Sequence, residues 1–353
     1  MNTSSQSSRK QNTKFLWSFL FLLIALASVW VVMTQAKDFS LKHFLEYIRQ
    51  TRLRWLLAAF GSMLLYIAFD ALMVRCMLKD FGYHRSFFKC VSYAAADIYF
   101  SAITPSATGG QPMEAYFMVK DGIPAAISTV VMLSYLLLYT ISIVVVGLLS
   151  LILIPSSFLA FTRLSRFFIL LGVAAQVMLA LGYGMLLWNK NLLRKILNWG
   201  LKLLVRLHIV RNPERHENRL QRTMDQYAQA TVLLKGRRRV LMRAMLLNLA
   251  HRCSQILVTV FCFLAGGGAL RLAPKLFAIQ ANVVMGAYCF PIPGSMGATD
   301  LLMLDGFSSL MSEQQSANLE ILSRFTSFYI CVLLCGTLVL IKYVLLRLRK
   351  NRV

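Results

Sequence analysis

The sequence predicts an all-α integral membrane protein with about six full spans and two re-entrant helical hairpins in an inverted repeat, eight or so hydrophobic segments in all. Three observations carry this. Apolar residues make up 58% of the 353 and charged residues only 15%, and several apolar runs exceed the roughly 20 residues that cross a bilayer as helix. Two helix-breaking clusters interrupt such sequence: Thr104-Pro105-Ser106-Ala107-Thr108-Gly109-Gly110-Gln111-Pro112 and Phe290-Pro291-Ile292-Pro293-Gly294-Ser295-Met296-Gly297. The order span, interruption, span also occurs twice, at 53–154 and 239–341, with about 55 residues from first span to break each time.

Residues 1–14 are polar and Ser-rich and read as a cytoplasmic tail. Arg9, Lys10 and Lys14 then precede an apolar run from Phe15 to Met33. It is long for a signal-peptide core, and Thr34-Gln35-Ala36 is a poor cleavage site, so it is expected to remain as the first span of a unit covering 15–52. The cations of the following loop (Lys37, Lys42, Arg49, Arg52, Arg54) suit an external amphipathic stretch in the interface.

The first repeat, 53–188, holds spans at about 53–74, 126–154 and 165–188 around a hairpin at 88–120. The returning leg from Met113 to Lys120 is about 8 residues, roughly 12 Å as helix, which reaches half a bilayer. Residues 189–238 form the linker. Leu192, Leu193, Ile196, Leu197, Leu201, Leu204 and Val205 interleave with Arg194, Lys195, Lys202 and Arg206 at near-helical spacing. That pattern predicts a basic amphipathic helix on the inner leaflet, with a solvated cytoplasmic hairpin as the plainer alternative for 213–236. The second repeat, 239–353, holds spans at 239–265 and 319–341, a hairpin at 274–311 and a basic tail.

Charge sets the sides. The net charge of +24 would suggest nucleic acid in a soluble protein. Here the cations lie between and beyond the spans, so they read as topology signal and attraction to anionic headgroups. Residues 189–239 hold thirteen Lys/Arg against three acids, and 342–353 hold five more, which places both termini in the cytoplasm of a multi-pass cell-membrane protein. Between Pro291 and Ser323 there is no Lys or Arg, while Asp300, Asp305, Glu313 and Glu320 occur, so that segment faces outward. The hairpins are therefore expected to enter from opposite sides. Seven cysteines show no C-x-x-C or metal spacing and read as small buried hydrophobes. No metal or cofactor is expected.

Irregular backbone at membrane depth is tolerated only where protein or a watery cavity satisfies it, and paired interruptions in corresponding halves point to a binding site near the midplane. Each returning leg starts at its tip, so its helix N-terminus, with unpaired N–H groups and a partial positive charge, suits a phosphate or carboxylate. The candidate substrate-binding residues are Thr104, Pro105, Gly109, Gly110, Gln111 and Glu114 in the first hairpin, and Pro293, Gly294, Gly297 and Asp300 in the second. Arg252, Arg324 and Tyr329 join them from spans, because a charge at the bilayer centre usually faces a cavity or a partner and Arg binds phosphate bidentately. Asp97 and the polar stripe Asn248, His251, Arg252 and Gln255 form a secondary set. Two plainer readings stay open: that the breaks serve packing, and that Arg252 and Arg324 pair with Glu114 and Asp300 to join the halves. Nucleophile, P-loop and dinucleotide signatures are absent, so no catalytic residue is assigned.

Ser101 to Pro112, with Tyr116, Lys120 and Gly122-Ile123 after it, resembles the first signature of the lysylphosphatidylglycerol synthase transmembrane family. Pro291 to Asp300 resembles the second, and Arg324 with Phe325, Ser327 and Tyr329 resembles its Arg-led final helix, over about residues 15–345 in all. The family includes the membrane module of multiple peptide resistance factors, which resembles a flippase for aminoacylated phosphatidylglycerol beside a cytosolic domain that transfers lysine from lysyl-tRNA. The 189–238 linker is too short for such a domain. The resemblance thus implies a lipid transporter for anionic or aminoacylated phosphatidylglycerol. The alternative is phosphatidylglycerol lysyltransferase activity, or a membrane subunit served by a soluble aminoacyltransferase partner, linked to cationic antimicrobial peptide resistance. Nucleic acid other than tRNA under that alternative is not expected, a homo-oligomer is left open, and transport of a soluble anion is a third reading.

Overall fold

A computed structural model describes residues 48–104, 109–206, 213–287 and 297–350. The span expected at 15–33, most of the amphipathic loop, and Pro105, Pro293 and Gly294 at the hairpin tips lie outside the described residues. The chain divides into a unit of residues 1–50, of which a helical turn at 48–50 is described, and a second unit of 51–353.

The second unit is helical throughout its described length, as its apolar periodicity demands. Its helices are α1 (Leu53–Asp80), α2 (Phe87–Ile103), α3 (Gly110–Lys120), α4 (Ala125–Leu153), α5 (Arg163–Trp188), α6 (Lys190–Arg206), α7 (Pro213–Lys235), α8 (Arg238–Ala265), α9 (Ala273–Ala287), α10 (Ala298–Phe307), α11 (Glu313–Arg324) and α12 (Cys331–Lys350). A π-helical turn at Phe325–Ile330 joins α11 to α12. Five segments are long and apolar enough to cross a membrane: α1, α4, α5, α8 and the continuous Glu313–Leu346. They match five of the six expected spans, the last starting six residues earlier than the sequence suggested because Ser312 caps α11 through the Gln315 N–H.

The two interrupted elements are short helix pairs, α2/α3 and α9/α10. The returning helix α3 has 11 residues, roughly 16 Å at 1.5 Å per residue, so it starts three residues before the leg expected from Met113. Gly122, with φ 84°, turns the chain sharply from α3 into α4.

Four interactions fix the ends of the bundle. The Arg52 N–H donates to the Ala265 carbonyl at 2.9 Å, so α1 begins where α8 ends. Arg237 pairs with the Asp80 carboxylate at 2.7 Å at the other end. Asp121, just past α3, receives Lys342 of α12 at 2.6 Å, and the Thr162 N–H before α5 donates to Asp305 of α10 at 2.9 Å. Following the chain through these contacts, α2/α3 opens at the Asp80 end and α9/α10 at the Ala265 end.

Helices α1 and α8 pack along one another, with the Ser62 hydroxyl donating to the Ser254 carbonyl at 3.0 Å. Each hairpin's entering helix reaches into the other half: α2 packs on α12 and α9 on α4. Small residues permit this approach. A Cβ on Gly172 would lie 2.7 Å from the Gly286 Cα, and one on Gly336 would lie 2.8 Å from the Tyr99 ring. The outer face of α5 exposes Leu164, Phe167, Leu170, Met178, Leu181 and Met185, an apolar surface for lipid tails.

The second part of the linker is more tied down than a solvated hairpin. Helix α7 packs on α4 and buries Met224, Tyr227, Ala230 and Leu234. The Tyr227 hydroxyl donates to the last carbonyls of α5, at 3.0 Å to Leu186 and 3.1 Å to Leu187.

Candidate functional site

The second hairpin and the last span build an ion cluster. Gly297, at φ 78°, turns the chain into α10, and the Asp300 carboxylate accepts the Gly297 N–H at 2.8 Å, capping the helix that bears it. Arg324, the last residue of α11, pairs with Asp300 and with Glu320 one turn earlier, the latter at 3.0 Å. Arg324 lies 11 residues into the segment beginning at Glu313, where the polar helix α11 gives way to the apolar stretch that starts at Phe325. Its side chain is 11% exposed while that of Asp300 is 34% exposed, so the cluster opens on the Asp300 side. Half-buried Tyr329 lies within charge range of Arg324, Asp300 and Glu320. The π-helical turn right after Arg324 shifts the helix register there, a feature that recurs at functional sites.

The first hairpin builds a different cluster. Thr104 bridges the break: its hydroxyl donates to the Phe100 carbonyl at 2.6 Å and accepts the Gly109 N–H at 2.9 Å. Gly110 then starts α3 directly against Asp97, and a Cβ there would sit 2.6 Å from the Asp97 carbonyl oxygen and collide with its carboxylate and the Ser101 hydroxyl. Ser101 donates to Asp97 at 3.3 Å. Asp97, Glu114 and Asp70 of α1 are buried and lie within charge range of one another. Gln111 is half-buried beside them in the chain. Both returning N-termini thus already have a carboxylate nearby, Asp97 for α3 and Asp300 for α10.

The polar stripe of α8 makes a third group. Arg252 hydrogen-bonds Gln255 and lies over the Tyr139 ring, 4.4 Å from its centroid. The His251 Nδ1 meets the Tyr66 carbonyl at 2.8 Å, and its ring stacks on Tyr66 with centroids 4.1 Å apart. Asn248 donates to the Ala244 carbonyl at 3.2 Å. The structure therefore joins Arg324 to Asp300, whereas Glu114 has no hydrogen-bond partner among the described residues.

Asp70 and Glu320 are the residues that sequence reasoning missed as site members. Asp70 was visible as an acid inside the apolar run of the second span, and Glu320 sits four residues before Arg324. No group of three His, Cys, Asp or Glu among the described residues is placed to hold a metal ion.

Two further features frame the clusters. At the mouth of the first hairpin, the Asp121 carboxylate accepts from the Tyr93 hydroxyl and Lys342, both at 2.6 Å, and Arg85 donates to its carbonyl at 2.7 Å. Burial alone would raise the Asp121 carboxyl, but the bonds from Lys342 and Tyr93 and the Lys342 charge outweigh it and hold the group below its ordinary value. On the lipid side, an apolar groove of about 830 Å³ runs between α4 and α5 from Leu137 and Val177 to Trp188, Asn189 and Lys190.

Residues 16–335 match the family described as lysylphosphatidylglycerol synthase TM region. The chain is also similar to a UPF0104 membrane protein from Pyrococcus horikoshii, 23% identical over 340 residues that cover 91% of this chain and 96% of the relative.

Proposed function

The chain belongs to the lysylphosphatidylglycerol synthase TM-region family, and from that premise we propose that it moves an anionic or aminoacylated phospholipid, phosphatidylglycerol or its lysyl derivative, between the leaflets of the cell membrane. The observation that carries this is Arg324, largely buried at the start of the apolar stretch of the last span, paired with Asp300 and Glu320 and open on the Asp300 side. Such a cluster matches both signs of charge on an aminoacyl phospholipid. The phosphate replaces Asp300 on the Arg324 guanidinium with bidentate geometry, and the carboxylates so released receive the ammonium. Phosphatidylglycerol itself uses the first half of that exchange.

The arrangement of the halves supports alternating access. The hairpins enter from opposite ends, and α2 on α12 corresponds to α9 on α4 when the halves are exchanged. Inverted repeats of this form, 53–188 and 239–353, transport by rocking one half against the other around a central site. The Asp80–Arg237 end, flanked by the cation-rich linker, is the cytoplasmic one, with both termini on that side. The groove ending at Lys190 suits an acyl chain whose headgroup stands at that surface.

The test is translocation of headgroup-labelled phosphatidylglycerol and lysyl-phosphatidylglycerol in proteoliposomes, with wild type and Arg324→Ala reconstituted to equal density. Wild type moves at least one lipid, and Arg324→Ala is slower by about 10-fold or more, as losing a charged hydrogen bond of about 1.5–3 kcal/mol requires. If wild type moves neither lipid, the proposal fails. Lysyl transfer to phosphatidylglycerol by the same protein with charged tRNA and a soluble partner would then support the enzymatic reading, and uptake of a soluble anion would support a solute transporter.

A further inference from the structure

We infer that lipid movement is driven by protons, carried on a buried row of side chains that runs from α8 to the first hairpin: His251, Tyr139, Tyr135, Asp70, Asp97 and Glu114. The inference rests on the lipid-transport reading and adds the energy source and the groups that couple it.

The members of the row are near neighbours, with Tyr135 hydrogen-bonded to Asp70, and all but Tyr139 are buried. The His251 ring lies 6.2 Å from the Tyr139 ring, and Tyr139 stacks on Tyr135 at 5.6 Å. Tyr135 lies within charge range of Asp70 and Asp97, and both acids act on Glu114. Asp70 and His251 are 1% exposed, Tyr135 3%, Asp97 5% and Glu114 0%. Asp70 lies 10 residues, roughly 15 Å, from the Asp80 end of α1.

Unused polar capacity distinguishes this row from a structural network. Among the described residues, neither oxygen of Glu114 has a hydrogen-bond partner, and neither does the His251 Nε2. A buried polar group without a partner costs about 1–3 kcal/mol, and more if charged, which a purely structural role for Glu114 does not offset. Three neighbouring carboxyls in a low-dielectric site disfavour charge on all of them at once. The remaining groups that face the row are Tyr66 on α1, Cys90 on α2, Cys335 on α12 and Arg252 on α8. None of the three acids forms an ion pair among the described residues; Arg324, Lys342 and Arg237 pair with other carboxylates.

The coupling element is Gly110. It brings the N-terminus of α3 onto Asp97, where an ionised carboxylate attracts the partial positive charge of the helix end and a neutral acid does not. A proton reaching Asp97 therefore loosens α3 from α2, and its departure draws them together. In each transfer one acid O–H breaks as the next carboxylate forms one. Each tyrosine takes a proton on its oxygen while giving up its own, so charge moves and no side chain is consumed.

The experiment uses proteoliposomes containing the pH dye pyranine and labelled phosphatidylglycerol, with valinomycin and potassium clamping the membrane potential. A one-unit pH gradient is applied or omitted. With one proton per lipid, wild type accumulates label in one leaflet to as much as about 10-fold, since one pH unit is tenfold in proton activity, and pyranine reports the matching proton flux. Asp70→Asn and Asp97→Asn, each checked for reconstitution, bring the leaflet ratio back towards one. The inference is overturned if wild type moves lipid equally with and without the gradient and pyranine is silent. That result leaves the lipid-transport reading standing. A leaflet ratio driven by sodium instead overturns the proton assignment. No lipid movement under any condition overturns both.

Discussion

Replacing Lys342 with Met tests whether the mouth of the first hairpin is fastened to the last span. The Lys342 and Asp121 side chains are 12% and 6% exposed, so their bond lies inside the fold although it stands at the end of the bundle. Removing one partner of a buried pair costs about 3–5 kcal/mol, whereas an exposed pair contributes about 0–1. Tyr93 still donates to Asp121 in the variant, which puts the expected loss near the lower limit, about 3 kcal/mol. At about 2 °C per kcal/mol for a chain of this size, thermal unfolding of the purified protein falls by roughly 6 °C. A cycle with Asp121→Asn separates the pair from its surroundings: each single variant is destabilised, and the double variant recovers about 2 kcal/mol relative to their sum. Additivity within about 0.5 kcal/mol, with a Tm shift of about 1 °C, would refute the fastening and make the contact an ordinary solvated ion pair.

The pH dependence of the same contact has a defined sign. Because the folded Asp121 carboxyl is held below its ordinary value, its stabilisation is complete above the ordinary carboxylate range and is lost as pH falls through the folded value. Wild type is therefore more stable than Asp121→Asn at pH 7, and the gap in thermal midpoint closes in acid; a constant gap would contradict the linkage. Two glycines give opposite expectations. Gly110→Ala drives a Cβ into Asp97 and Ser101 and lowers stability by about 2–3 kcal/mol, while Gly61→Ala, with nothing within 4 Å, raises it by up to about 1 kcal/mol through helix propensity. Equal thermal shifts of one sign would show that the approach of α3 to Asp97 is not close.

The membrane-spanning helices and both interruptions were legible in the sequence because their causes are local. An apolar run of the right length must form helix in lipid, since no water is there to satisfy its backbone. The proline and glycine clusters stop helices wherever they fall. Asp300 and Arg324 were legible as charges that need a partner for a related reason, because a charge inside such a run is costly alone. Only the tertiary structure decided which partner each charge receives. Arg324 meets Asp300 and Glu320, Glu114 meets Asp97 and Asp70, and Asp121 meets Lys342, 221 positions further along the chain. Those pairings depend on helix rotation and on close approaches at Gly110, Gly172 and Gly336, which are set by packing between distant segments. The sequence by itself thus determined that the chain is an all-α membrane protein and where its helices break, since lipid acts on each segment separately. The division of the buried charges into a carboxyl cluster in the first half, without ion pairs among the described residues, and an arginine-centred cluster in the second arises from how the helices pack within each half.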